Sequence, residues 1–353
     1  MALVQTSETA FGDADAQNGV AHWISTYWPT LLLAVVLVLL PTVANSFILD
    51  QIVGWSLILG TIALSLMFLA GYGGMVSLAQ MSIAGVAGYM IAVFGASSLP
   101  KISMFWPWWV AAPIAILIAV AFGTLVGALS ARTEGIYTII ITLALASAFF
   151  YLTLQNWPIF NGFNGFTTIP APRFFGVNWK DPVPLYYLIL FFAALSYAAV
   201  IYISRAPFGL ALQGVRDNPR RMEAIGYNVT AHRIAAHAFA GLIAAIGGIL
   251  MVWLNNQISP FTVDVGQIID LLVIAVVGGL GHPIGAFIGA LIYVVLHAFA
   301  LDALVAIGLD GRRFQTLIGL GFLVIVLFSP DGVIGLWRRW SARVRASGGR
   351  NRW

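Results

Sequence analysis

Few residues in this 353-residue chain are equipped for chemistry, and most of those lie inside apolar sequence. Asp270 stands in an apolar stretch. A carboxylate within a membrane is costly, and is a functional-site candidate by default: it can bind a substrate amine, relay a proton or pair with another helix. Asp264, a turn and a half earlier, favours an interfacial or structural placement instead. Ser77, Gln80 and Ser82 form a polar run in GYGGMVSLAQMSIAGVAGY, at bilayer depth. Polar or non-helical backbone is tolerated there only when buried in protein or lining a cavity, so these residues and Asp270 are the expected substrate path. His282 is a lone imidazole beside a turn, with no second ligand spaced to help it, and no metal site is expected. The chain has no cysteine, Walker-type phosphate loop, HExxH or GxSxG. Such residues offer contacts along a path but no catalytic constellation, and the chain cannot hydrolyse ATP itself.

The elements that must position them are membrane helices. The chain is 60% hydrophobic and 8% charged, with a mean hydropathy of +0.93. Soluble domains carry about 25% charged residues, so this composition cannot cover a soluble surface. The fold class is an all-α polytopic membrane protein of about ten spans. The expected spans are 29–48 (kinked at Pro41), 52–70, 75–95, 106–130, 135–154, 184–204, 234–254, 267–280, 285–300 and 315–328. The net charge of +4 reflects an arginine excess of the positive-inside kind, not nucleic-acid binding. With residues 205–233 and the C-terminal tail placed inside, 12 of the 17 Lys and Arg residues are cytoplasmic and five are outside.

That orientation divides the chain into a cytoplasmic tail (1–28), a transmembrane permease domain (29–335) and a basic cytoplasmic tail (336–353). Residues 1–28 contain no Lys or Arg and so lack the basic start of a signal peptide. The external loop 155–183 is rich in Gly, Pro, Asn and aromatic residues. It fits either a docking surface for an external partner or an aromatic belt with turns.

The largest polar island is RAPFGLALQGVRDNPRRMEAIG, residues 205–226. Phe208, Ala211, Leu212 and Val215 form an i, i+3, i+4, i+7 stripe. Asp217 or Asn218 can cap a second short helix with Pro219 at its first position, and Gly226 suits its end. Two short helices along the membrane surface are expected, shaped to dock a soluble partner; the alternative is a basic loop held by anionic lipid. Gly85 and Gly88, and the four-residue ladder Gly281, Gly285 and Gly289, are expected at close helix contacts.

Three motifs in order, GYGGMVSLAQMSIAGVAGY, SRAPFGLALQGVRDNPRRMEAIGYNV and LLVIAVVGGLGHPIGAFIGA, resemble the LivM-type inner-membrane permeases of branched-chain amino acid ABC importers. The Phe-Gly-x-Ala-Leu-x-x-x-Arg-Asp-Asn run is the most specific. The resemblance implies a fold like the vitamin B12-type importer permeases, with both termini cytoplasmic. It also implies a second homologous permease, two cytoplasmic ATPases carrying ATP and Mg, and a periplasmic or extracellular solute-binding protein. It assigns ATPase coupling to Phe208, Gly209, Leu212, Arg216, Asp217, Asn218, Glu223 and Gly226. The chain departs from the family's usual residues at Ala79, Leu210, Pro219, Arg220, Arg221, Met222 and Ala286, and has Asp270 where Glu is usual. Related permeases carry urea, short amides and other amino acids. Outside the resemblance, an ion- or proton-coupled carrier or channel with Asp270 as relay, or a membrane scaffold, also fits the composition.

Overall fold

The computed structural model describes residues 35–174 and 177–306, with Gly319, Leu320, Gly332, Val333 and Gly335; side chains are described except at 173–178 and 300–306. The expected tails, the span 315–328 apart from Gly319 and Leu320, and Arg312 and Arg313 lie outside the described residues. The chain divides into two compact units, Met1–Leu49 and Asp50–Trp353. In the first, helix over 35–39 tightens into a 3-10 turn, Leu40–Thr42, at Pro41. Pro41 thus ends this helix, where the sequence suggested only a kink, because proline cannot donate the next hydrogen bond.

In the second unit, α1 (Trp55–Met67) continues π-helical segments on both sides, making one rod over 50–72. Every residue from Ser56 to Met67 is buried, so this rod is the core of the unit. Around it run α2 (Gln80–Phe94), α3 (Trp108–Ser130), α4 (Ile136–Gln155), α5 (Pro182–Arg205), α8 (Val229–Asn255), α9 (Val265–Gly278) and α10 (Ile284–Ala306). Two short helices, α6 (Pro207–Asp217) and α7 (Pro219–Ala224), link α5 to α8. α1 packs on α10, α8, α9 and α5, and α8 also packs on α2 and α3.

Six described helices are long and apolar enough to cross a membrane: Ile48–Tyr72, Trp108–Ser130, Ile136–Gln155, Pro182–Arg205, Val229–Asn255 and Pro260–Gly278. Gln80–Phe94 and Ile284–Phe299 are shorter apolar helices. The expected span 75–95 is therefore corrected: residues 74–77 are not helical, and the helix begins only at Gln80. α8 starts five residues before the expected 234, because the Asn228 side chain accepts a hydrogen bond from the Ala231 N–H (2.9 Å) and caps it.

The loop between α4 and α5 adds short strands to an otherwise helical fold. β1 (Phe166–Thr167) pairs antiparallel with β4 (Gln257–Ile258), and β2 (Arg173–Phe174) with β3 (Val177–Asn178). Phe160 and Phe166 bury against Tyr89, with ring centroids 5.3 and 6.2 Å away. The inner side of the loop is thus an aromatic cap over α2. Its outer side leaves Trp157, Ile159 and Phe163 exposed.

Candidate functional site

The polar island folds as two helices held by local chemistry. Gly209 lets α6 turn back against the end of α5, since a Cβ there would overlap the Ile203 carbonyl. Gln213 Nε2 donates to the Ser204 carbonyl (2.9 Å) and fastens the same turn. Ala211, Leu212 and Val215 are buried, and Ala211 and Val215 form a small core with Met222 of α7 and Val229 of α8. Phe208 stacks on His232 in the first turn of α8, centroids 5.7 Å apart. Asn218 caps α7 by accepting from the Arg221 N–H (3.0 Å). Gly226 (φ +94°) ends it: its N–H donates to the Glu223 carbonyl, and that of Tyr227 to the Met222 carbonyl, the paired bonds of a glycine-terminated helix.

The outer face of this element combines charge with apolar surface. Arg220, Arg221, Glu223 and Gly226 are exposed, as are Leu210, Ile225 and Tyr227. Sequence reasoning missed those three apolar residues. Leu210 carries a signal in hindsight, since it lies two residues from Leu212 and so on the other side of the helix. The neighbouring turn at this end is fixed by Arg233, whose guanidinium donates to Glu134 (2.9 Å) and to the Ala131 carbonyl (3.1 Å). The segments holding Arg132, Arg205, Arg216 and Arg233 thus share one basic end.

Arg216 is the exception on α6. Its Nη1 donates to the Gly71 carbonyl (2.5 Å), and its Nε to Asp217 (2.8 Å). Its stem crosses Gly74, whose φ is +67° and where a Cβ would lie 2.6 Å from Arg216 Cγ. Leu212 approaches Gly73 at 3.7 Å from where a Cβ would stand. On its other side, Gly71 abuts the Leu280 carbonyl, in the break between α9 and α10. The three sequence motifs therefore meet at one place, the glycine bend 71–74.

The four expected path residues do not come together. Ser77, Gln80 and Ser82 are completely buried at the start of α2. Ser65 Oγ donates to Gln80 Oε1 (3.0 Å), while Gln80 Nε2 and Ser82 Oγ have no hydrogen-bond partner among the described residues. An unpartnered buried polar group costs about 1–3 kcal/mol. Asp270 lies instead on α9, beside Tyr293 and His297 of α10. Sequence reasoning missed Tyr293 and His297, which are four residues apart and so share a helix face. Asp264 is not a second path residue: it caps α9 through the Gln267 N–H (2.8 Å), so Asp270 lies about 9 Å further along the helix axis.

The expected packing glycines divide. Gly85 and Gly88 face Val263 and Val252–Ile258 side chains so closely that a Cβ would collide. Gly285 and Gly289 press on Gly278 and the Ile274 carbonyl of α9. Gly281 does not join that ladder: it lies in the turn before α10, and no described atom comes within 4 Å of a Cβ placed there. His282 Nδ1 accepts from the Ile284 N–H (3.4 Å) at the start of α10. No cluster of three His, Cys, Asp or Glu able to hold a metal occurs among the described residues. A cavity of about 650 Å³ at the opposite end is lined by apolar side chains of α3, α5 and α8, including Trp108, Phe191 and Trp253, and by none of the expected path residues.

A buried central rod, surrounding apolar helices and a structured polar element at one end define a multi-pass membrane permease. Residues 48–327 match the family described as "Branched-chain amino acid transport system / permease component", and the chain belongs to that family. It is 24% identical over 294 residues to the high-affinity branched-chain amino acid transport system permease protein LivM of Salmonella typhimurium, covering 76% of this chain and 67% of that one. It is 27% identical over 233 residues to the probable LivM of Methanocaldococcus jannaschii, covering 63% and 67%. It is also 24% identical over 264 residues to the ribose import permease RbsC of Haemophilus influenzae, covering 72% and 78%. No solved structure matches the chain.

Proposed function

We propose that this chain is the membrane-spanning subunit of an ATP-binding-cassette importer for branched-chain amino acids or a related small polar solute. It acts with a second homologous permease, two cytoplasmic ATPases that bind ATP and Mg, and an external solute-binding protein. The observation that carries this reading is the α6–α7 element. Ala211, Leu212 and Val215 of its apolar stripe are buried in the permease, while Arg220, Arg221, Glu223, Leu210, Ile225 and Tyr227 face outward. A loop held only by anionic lipid needs charge but not a capped, internally packed pair of helices. A mixed charged and apolar face suits a protein partner.

In this reading the basic end is cytoplasmic, and the aromatic-capped loop between α4 and α5 meets the binding protein. Ser77, Gln80 and Ser82 are held shut in this conformation, and the unpartnered Gln80 amide gains a partner when the permease switches. The solute is open among relatives of different cargo: two of the names above specify branched-chain amino acids and one ribose. Urea and short amides belong on the same test panel.

The experiment is to purify the tagged chain from its native membrane in mild detergent and identify what accompanies it. Two ATPases and a second permease are expected. The reconstituted complex should then take up solute only with ATP and the binding protein, which is titrated with leucine, isoleucine, valine, urea, acetamide and ribose. A second reading, proton-coupled transport, rests on the Asp270–Tyr293–His297 cluster. It requires uptake by the chain alone, indifferent to ATP and abolished by Asp270→Asn. That outcome would replace the importer reading.

A further inference from the structure

We propose that Arg216 is a positioning strut inside the permease. It carries displacement of α6 to the end of the central rod and, through Gly71, to the break between α9 and α10. This rests on the importer reading for its purpose, but its geometry stands by itself. The guanidinium is held along two edges, by the Gly71 carbonyl and by Asp217, and bonds with an ionised donor are the stronger kind. It meets the rod at its C-terminal end, where carbonyls lack helical partners and the helix dipole favours a cation. Gly74 makes the approach possible: any side chain there would push the Arg216 stem away, and its positive φ also favours glycine.

Gly71 then transmits in two directions. Its Cα face rests on the Leu280 carbonyl, so it cannot shift without moving the α9–α10 break. Along the chain, the non-helical residues 74–77 lead directly to Gln80, whose amide is bonded back to Ser65 of α1. A movement imposed on α6 therefore reaches the two glycine breaks and the polar start of α2 through one side chain. Arg216 is itself 38% exposed, but its bond to Gly71 sets it apart from the exposed residues of α7, which face a partner.

The test uses Arg216→Gln, Arg216→Lys and Glu223→Arg in the full chain. Arg216→Gln should retain the ATPases on purification, while solute taken up per ATP hydrolysed falls about tenfold, the effect of losing one charge-assisted bond. Arg216→Lys should recover part of that loss, since an ammonium can still donate to the carbonyl. Glu223→Arg should instead weaken retention of the ATPases. In the permease alone in lipid nanodiscs, hydrogen exchange over residues 71–79 should speed up about tenfold in Arg216→Gln. Unchanged exchange there overturns the strut, as does wild-type uptake per ATP, or loss of the ATPases equal to that in Glu223→Arg. If the wild-type chain carries no ATPases, the importer reading fails, and the exchange measurement still decides the strut.

Discussion

Leu212 and Leu210 lie two residues apart on α6 and should behave oppositely when truncated. Leu212 is 0% exposed and approaches the glycine bend, whereas Leu210 is 59% exposed. Leu→Ala at a fully buried site loses both transfer free energy and packing around the new cavity, about 2–4 kcal/mol. The same change at an exposed site is worth about 0.5 kcal/mol or less. α6 is a short helix whose hold on the bundle depends on few contacts, so the loss should appear first as local opening. A loss of about 3 kcal/mol corresponds to about a hundredfold increase in the open population. Hydrogen exchange followed by mass spectrometry on the chain in nanodiscs measures this for peptides covering α6. The expectation is roughly a hundredfold faster exchange in Leu212→Ala, with Leu210→Ala close to wild type in exchange but weaker in retaining a cytoplasmic partner. Equal exchange in the two variants would falsify the assignment of inner and outer faces, and with it the docking element.

Three further outcomes test the local supports. Asn218→Ala should cost about 1 kcal/mol through the lost cap, read as faster exchange confined to α7. Gly226→Ala should cost about 1 kcal/mol by backbone strain alone, since space is free for the methyl group, and Gly226→Asn should cost less because asparagine tolerates positive φ. Gly289→Val should destabilise the α9–α10 contact by about 1–3 kcal/mol by overpacking, lowering the midpoint of a thermal unfolding scan in detergent, whereas Gly281→Ala should leave it unchanged.

The helical membrane class and the polar island were legible because each rests on local signals. Apolar length marked the spans, and stripe, cap and glycine stop marked α6 and α7 within one or two residues. The start of α2 was misplaced because residues 75–79 are apolar enough to extend the run, and hydropathy does not register a backbone break. The count of about ten spans has no support among the described residues beyond six long helices and two short ones. Gly281 was misassigned because a four-residue spacing implies a shared face only if all members are helical, and the turn at 279–283 intervenes. Tyr293 and His297 were missed because their partner Asp270 lies on a different helix, at a separation that no local pattern records.

Convergence on the glycine bend was beyond sequence reasoning for a related reason, and it changes what the motifs mean. Each glycine run read separately, as a helix break or as helix packing, and Arg216 read as one of the residues that couple to an ATPase. In the fold, Gly71 receives Arg216 on one side and Leu280 on the other, and Gly74 leaves the space that Arg216 fills. The glycines thus serve less to bring whole helices close than to expose main-chain carbonyls where other elements can grip them. A permease that must switch needs joints that are not locked by helical hydrogen bonds, and interrupted helices supply them. If the bend is such a joint, substitutions at Gly71 and Gly74 should impair uptake more than at Gly85, which is more deeply buried but abuts side chains, Val263 and Phe149, that are able to shift. Uptake by Gly74→Ala equal to that of Gly85→Ala in the reconstituted complex would return the bend to simple packing.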